Sequence, residues 1–264
     1  MKIAVCIKQV PESTDVKINP ETNTLVREGV ASVTNPFDEF ALEEALLTKE
    51  KYDGEIVAIT MGPDKAVDVL RNALALGVDQ VYHINDPAIL GSDTLATSYV
   101  LSKAIEKIGD VDVVFCGKQA TDGNTGIVSP QLATRLGFSQ LTFVAKVDEI
   151  DAANKKIKVQ RGIEGGVEVV EAKLPAVVSV LKGINEPRLP NLMGIRKAAK
   201  APITAWDCDT IGAAKDKVGT EGSHGKVIGL TTPPPRSAGE MLKGEIDEIA
   251  TVLVDKLLDL KVIK

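Results

Sequence analysis

From residue 3 to residue 136 the sequence alternates between two apolar patterns, and few folds accept that alternation. Ile3 to Ile7 is a short run rich in β-branched residues; after the turn at Asn35-Pro36, Phe40, Ala41, Leu42, Ala45 and Leu46 recur at helical spacing. The pair then repeats: strand 56–60, helix 65–76, strand 80–84, helix 94–108, strand 111–116, helix 127–136. Strands that alternate with helices cannot pair as hairpins, so the pattern predicts an α/β fold: an open, mostly parallel, twisted sheet with helices on both faces.

Departures from the pattern mark the boundaries. Val16 to Ile18 and Leu25 to Arg27 flank Asn-Pro-Glu-Thr-Asn-Thr and predict a small hairpin inserted after the first strand. Lys156 to Arg161 and Val167 to Ala172 read as antiparallel strands around Gly165-Gly166, and Val177 to Val180 returns to the sheet. The expected core is residues 1–185. Residues 186–205 form a loop and helix, and residues 206–264 a C-terminal arm and helix containing the proline-rich stretch Thr231 to Pro235. In the last helix Ile246, Ile249, Ala250, Leu253, Leu257 and Leu260 share one stripe, which Val252, Val254 and Leu258 widen; a core cap and a subunit contact both fit that pattern.

The 264 residues carry a net charge of −6, which argues against nucleic acid as a partner, since phosphate backbones need a basic surface. No apolar run has the length of a membrane span, and the Met-Lys start runs into a strand rather than a secretory signal. Three cysteines (Cys6, Cys116, Cys208) and two histidines (His83, His224) lie far apart in sequence, so neither a disulfide framework nor a zinc site is expected; a reducing, cytoplasmic setting is. No Gly-x-Ser-x-Gly, His-Glu-x-x-His or Ser, His and Asp set is present, so redox chemistry here would come from a bound cofactor.

Ligands of open parallel sheets bind beyond the carboxyl ends of the strands. Three segments belong there: Asn35 to Asp38, Thr60-Met61-Gly62-Pro63, and Gly117-Lys118-Gln119-Ala120-Thr121-Asp122-Gly123-Asn124-Thr125-Gly126 leading to Val128. The third combines glycines with polar donors before a helix and could cradle a phosphate; the alternative is a plain turn capped by Asp122. Ser92, Asp93, Thr94 and Thr97 open another helix, where they either cap it or meet a phosphate or ribityl group.

Several of these stretches, in order and spacing, resemble electron-transfer flavoprotein β subunits. They are Val5-Cys6-Ile7-Lys8-Gln9-Val10-Pro11, Asn35-Pro36-Phe37-Asp38 with Glu43-Glu44-Ala45, Gly117-Lys118-Gln119-Ala120 with Asp122, and Leu174 to Val178 leading to Asn185-Glu186-Pro187-Arg188. Thr232-Pro233-Pro234-Pro235-Arg236 with Ala238-Gly239 is similar to the family's arm. The resemblance implies an adenine-nucleotide-binding type of α/β domain in a heterodimer with an α subunit, around which the arm wraps. It places Cys6, Asn35, Pro36, Phe37, Asp38, Met61 and the Gly117 to Val128 loop in the cofactor pocket, with backbone groups dominating at Cys6 and Met61.

Within that family, Gly91 to Thr97 and Asp122 to Val128 look like the electron-bifurcating pattern, in which this subunit holds FAD, rather than the housekeeping pattern, in which it holds AMP; Asn124 and Ile127 depart from typical forms. The resemblance then implies NADH as electron donor, a ferredoxin or flavodoxin as low-potential acceptor, and an acyl-CoA or hydroxyacid dehydrogenase as partner, anchored through Leu192. A non-redox, nucleotide-binding regulatory subunit is the alternative from a different class.

Overall fold

Strands of a sheet buried on both faces need apolar residues at consecutive positions, and this requirement explains the first strand: Ile3, Ala4 and Val5 are wholly buried. The computed structural model describes residues 1–12, 18–19, 24–25, 31–229 and 239–263. Its strands are β1 (Lys2–Cys6), β2 (Gln9–Pro11), β3 (Ile18–Asn19), β4 (Thr24–Leu25), β5 (Ser32–Thr34), β6 (Glu55–Met61), β7 (Gln80–Ile84), β8 (Val113–Gly117), β9 (Ser139–Asp151), β10 (Lys156–Ile163), β11 (Gly166–Lys173), β12 (Ala176–Val180) and β13 (Thr204–Trp206). The helices are α1 (Pro36–Tyr52), α2 (Val67–Leu76), α3 (Thr94–Ile108), α4 (Val128–Leu136), α5 (Leu192–Lys200) and α6 (Ile246–Asp259).

Nine strands form one open sheet in the order β11-β10-β9-β12-β8-β1-β6-β7-β13. From β9 to β13 all neighbours are parallel; β10 and β11 extend the edge antiparallel. Side chains alternate across the sheet, so β1 feeds two cores. Ile3 and Val5 pack with Leu42 and Leu46 of α1 and Leu70 of α2, while Ala4 packs with Val100 and Ile105 of α3 and Leu132 of α4. Each fully buried Ile, Leu or Val contributes about 1.5–3 kcal/mol. The α/β expectation therefore holds, with helices on both faces.

The expected helix 94–108 is reproduced at both ends, and the others agree to within a few residues, except that α1 runs from Pro36 through Tyr52. Proline at its first position costs no hydrogen bond, and Asp38 and Glu39 in its first turn complement the helix dipole. The described part of the expected insertion is a ladder pairing Ile18 with Leu25 and Asn19 with Thr24; the rest of it, and Thr231 to Pro235, lie outside the described residues. Four strands escape the periodicity argument: β2 and β5, which pair antiparallel with each other, and β9 and β13. Strand β9 pairs parallel with β12 and antiparallel with β10, and Phe143 takes φ +57° at that corner, an uncommon backbone for an aromatic residue. Strand β13 is three residues long and joins the edge beside β7.

Met1 to Ile228 form one compact unit and Gly229 to Lys264 a second. In the first, the segment after β12 is tied back to α1. The Arg188 guanidinium meets the Glu43 carboxylate through Nε and Nη2 at 2.8–3.1 Å, and its backbone N–H donates to the same carboxylate at 3.0 Å. The Asn185 amide donates to the Phe40 carbonyl at 3.0 Å and to Glu44 at 2.9 Å. Burial pushes the Glu44 carboxyl up, against the lowering effect of Asn185. In the second unit, α6 has no buried residue: Ile246, Leu253, Leu258 and Leu260 are all exposed.

Arg188 faces one buried carboxylate, Glu43, and one exposed carboxylate, Glu50. Removing the partner of a buried charge costs far more than removing a surface one. Arg188→Ala is therefore expected to lower stability by about 2–3 kcal/mol, and Glu50→Gln by under about 0.5 kcal/mol. Urea unfolding midpoints check this; equal effects would mean that the Glu43 pair contributes nothing special.

Candidate functional site

The chain runs from β1 outward to β6 and β7, then crosses back through α3 to place β8 on the other side of β1. Loops leaving β1 and β8 diverge at that reversal, which opens a crevice beyond the strand ends. One carboxylate sits at its floor. Asp38, in the first turn of α1, accepts from the Lys8 N–H at 2.8 Å and from the Gly117 N–H at 3.2 Å, bridging the ends of the two strands. Gly117 is required by this approach: a Cβ there would lie 2.6 Å from the Phe37 carbonyl carbon. Both N–H groups favour a charged Asp38, yet burial dominates and pushes its pKa up to about 7.

Asn35 fixes the neighbouring loop. Its amide donates to the Gln119 carbonyl at 2.9 Å and its Oδ1 accepts from the Thr121 N–H at 3.1 Å. Asp122 takes both oxygens to the Lys8 ammonium at 2.8 Å, across the mouth of the crevice. Asn124, at φ +50°, bonds Gln119 through its side chain at 3.0 Å and Ala120 through its N–H at 2.8 Å. The polar side chains of Asn35, Asp38 and Asp122 are thus committed to protein partners and shape the loop. What the loop presents outward is Gly123, Asn124 and Thr125, all exposed, followed by the start of α4.

The two helix starts at the crevice differ. Helix α3 is capped: Asp93 accepts from the Ala96 N–H at 3.0 Å, and its other oxygen accepts from the N–H groups of His224 and Gly225 at 2.8 Å. Ser92 accepts from the Gly219 N–H at 3.0 Å, and Ser223 accepts from the Asp93 N–H at 2.8 Å. Residues 219–225 thereby form a strap over the start of α3, and these backbone donors hold the Asp93 carboxyl below its usual range although burial opposes them. Helix α4 has no side-chain cap: Ile127 precedes it, and no side chain at its cap accepts from the N–H groups of its first turn. An anion is better served at α4 than beside the Asp93 carboxylate. Thr94 and Thr97 lie half-buried on the first turn of α3.

The contacts join Asn35 and Asp38 to Lys8, Gly117, Gln119 and Thr121, while Ser92 and Asp93 are joined to residues 219–225. Asn35, Pro36, Phe37 and Asp38 arrive from α1; Cys6, Met61 and Val128 pack on the core beneath α3 and α4. Leu192 is apart from them, at the start of α5 and two-thirds exposed. Sequence reasoning left Lys8, Phe143 and the strap out of the site. Lys8 was legible as a cation two residues beyond a strand end. Phe143, whose ring lies 5.4 Å from the Lys118 ammonium, gives no signal because its backbone is set by a strand corner.

An electron transfer flavoprotein domain profile matches residues 22–211. The chain is 45% identical over 258 residues to the electron transfer flavoprotein subunit beta of Thermoanaerobacterium thermosaccharolyticum, covering 97% of this chain and 98% of that one. The chain belongs to the electron transfer flavoprotein family. It is also 42% identical to the caffeyl-CoA reductase-Etf complex subunit CarD of Acetobacterium woodii, over the full length of both. With the protein FixA of Azotobacter vinelandii it shares 43% identity over 90% of this chain and 86% of that one. These relatives place the chain among the family's β subunits, whose work is electron transfer in partnership with an α subunit. Among the described residues no helix is long and apolar enough to cross a membrane, and no cluster of three or more His, Cys, Asp or Glu could hold a metal.

The floor of a β-subunit crevice built this way should respond to pH. An unfolded Asp38 ionises near 3.8 and the folded one near 7, so the folded state binds the extra proton between those values. Stability is then highest below about pH 4 for this group and falls as pH rises toward 7, by about 4 kcal/mol at most. Asp38→Asn should flatten that decline while lowering stability overall, because an amide cannot accept both N–H groups. Urea unfolding from pH 4.5 to 8 reads the difference; parallel pH profiles would show that Asp38 is ionised throughout.

Proposed function

We propose that this β subunit binds FAD in the crevice over β1 and β8 and serves flavin-based electron bifurcation: NADH as donor, with electrons passing to the α-subunit flavin, an acyl-CoA or other dehydrogenase, and a low-potential ferredoxin or flavodoxin. The observation that carries the reading is the contrast between the two helix starts. The uncapped first turn of α4, reached through Gly123 and Gly126, offers backbone N–H groups to a pyrophosphate, while Thr94 and Thr97 offer hydroxyls across the crevice on α3. AMP in this subunit is the second reading.

In this assignment Asn35 and Asp38 hold the loop in shape, Lys8 neutralises Asp122 beside the anionic ligand, and the Cys6 and Met61 backbones border the adenine. Bound FAD would supply hydride acceptance from NADH and onward release of single electrons; the chain supplies position and electrostatics. Residues 1–185 are assigned to the cofactor-binding core, 186–205 to partner recognition, and 206–264 to the arm and helix that pack on the α subunit, in a cytoplasmic complex. A 14-residue helix with no buried side chain needs a covering partner, which fits an obligate heterodimer.

Counting the released cofactors of the purified heterodimer tests the reading: two FAD are expected, one from each subunit, and one FAD with one AMP would overturn it. Replacing Thr94 and Thr97 with Val should selectively loosen the flavin of this subunit, at about 1–3 kcal/mol per hydroxyl partner lost. Equal retention of both flavins would remove those threonines from the site.

Leu189, Leu192 and Met193 present exposed apolar side chains around the start of α5, flanked by Arg196 and Lys197. An apolar anchor seated in a partner pocket contributes about 2 kcal/mol or more. Leu192→Ala is expected to weaken electron delivery to the dehydrogenase while NADH-driven flavin reduction is kept. Unchanged delivery at limiting dehydrogenase would reject the anchor.

A further inference from the structure

Two of the three cysteines, 110 positions apart in sequence, become neighbours at the floor of the crevice. Cys6 is the last residue of β1 and Cys116 the penultimate residue of β8; they are direct partners in the parallel ladder. Both side chains belong to the same face, packing on the core beneath α3 and α4. Cys6 is partly exposed and Cys116 is buried. Nothing in the proposed cofactor role uses either thiol, because the backbone at Cys6 carries that role.

We infer that Cys6 and Cys116 form a reversible thiol–disulfide site whose oxidation loosens the ligand held over β1 and β8. Paired strands run about 4.8 Å apart, inside the about 4.4–6.8 Å Cα separation that a disulfide spans. The Cβ atoms of in-register parallel neighbours are separated by nearly the same distance, somewhat more than the about 3.5–4.5 Å of a relaxed disulfide. Closing the bond therefore draws the strand ends together and leaves it strained, which favours ready reduction. The adjacent Cys6 sulfur, burial and the Asp38 carboxylate together push the Cys116 thiol well above its usual range. Cys116 is buried and Cys6 partly exposed, so Cys6 is the sulfur that an external disulfide reaches first.

The oxidant class is a low-molecular-weight disulfide. The Cys6 thiol gives up its proton and attacks one sulfur of glutathione disulfide, displacing a glutathione thiolate and giving a mixed disulfide. Cys116 then loses its proton and attacks the Cys6 sulfur, displacing the second glutathione thiolate. Two electrons pass from the protein to glutathione, and the two protons end on the released thiols. The effect on the ligand follows from position. Gly117, next to Cys116, and Lys8, two residues after Cys6, supply the two N–H groups that Asp38 bridges. A contraction between the sulfurs is therefore felt at the carboxylate that spaces the strand ends.

The test uses the intact heterodimer treated with glutathione disulfide, alkylated and digested for mass spectrometry. A Cys6–Cys116 linked peptide is expected, removed by dithiothreitol and absent from Cys6→Ala and Cys116→Ala proteins; Cys208, wholly buried elsewhere, should remain alkylatable only after unfolding. No linked peptide, or glutathione retained on Cys6 without linkage, would overturn the site irrespective of which cofactor is bound. The second arm rests on the FAD reading: the oxidised heterodimer should release its β-subunit flavin at least about tenfold faster than the reduced one, with dithiothreitol and Cys116→Ala each restoring the slow rate. A linked peptide with unchanged release would overturn the coupling while leaving the FAD count intact.

Discussion

The buried carboxylate of Asp38 sets the spacing on which the rest of the crevice depends. Two parallel strands that diverge at a topological reversal leave their last N–H groups without a neighbouring strand, and each unpaired buried N–H is costly. One side chain from the start of α1 answers both, at Lys8 and Gly117. Burial raises its proton affinity, so the arrangement costs stability at neutral pH, and the fold accepts that cost where two strands and a helix must meet. Gly117 follows from it, since any side chain there would collide with the backbone that carries the carboxylate. Asn35 then extends the same clamp to the loop before α4.

Much of this was legible in the sequence, and the boundary of legibility has physical causes. Apolar periodicity reports burial, so β1, β6, β7 and the helices between them could be read directly. Strand β9 could not: it serves a parallel partner with one half and an antiparallel partner with the other, and Phe143 breaks its alternation at the corner. Strand β13 is too short to show a period; it pairs with β7 at the sheet edge, where Trp206 lies against Tyr82 with ring centroids 4.3 Å apart. The polar residues of these loops are visible in the sequence as types and positions, but their partners are not. Asn35, Asp38, Asp93 and Asp122 look alike in sequence as candidate ligand contacts, and only their partners show that the first three hold the backbone of other segments while Asp122 pairs with the Lys8 ammonium.

The same holds for the paired motifs that first suggested the family. Glu43-Glu44 and Asn185 to Arg188 lie more than 140 positions apart, and neither has meaning alone. In the fold they are two halves of one contact, Arg188 on Glu43 and Asn185 on Glu44. Burying Glu43 without its guanidinium would be strongly unfavourable, so the two stretches are bound to change together or not at all.

The strap over α3 has a consequence for modularity. Its last fixed points are the His224 and Gly225 N–H groups on Asp93, and the second compact unit begins at Gly229. The root of the arm is thus a short peptide anchored by one carboxylate rather than by a strand of the sheet. An arm exchanged between homologous chains should be joined after Gly225, so that the capped helix start travels with the sheet. A junction placed before Gly219 would strip Ser92 and Asp93 of their backbone partners, and a swap meant to alter only the choice of partner would then disturb the crevice as well.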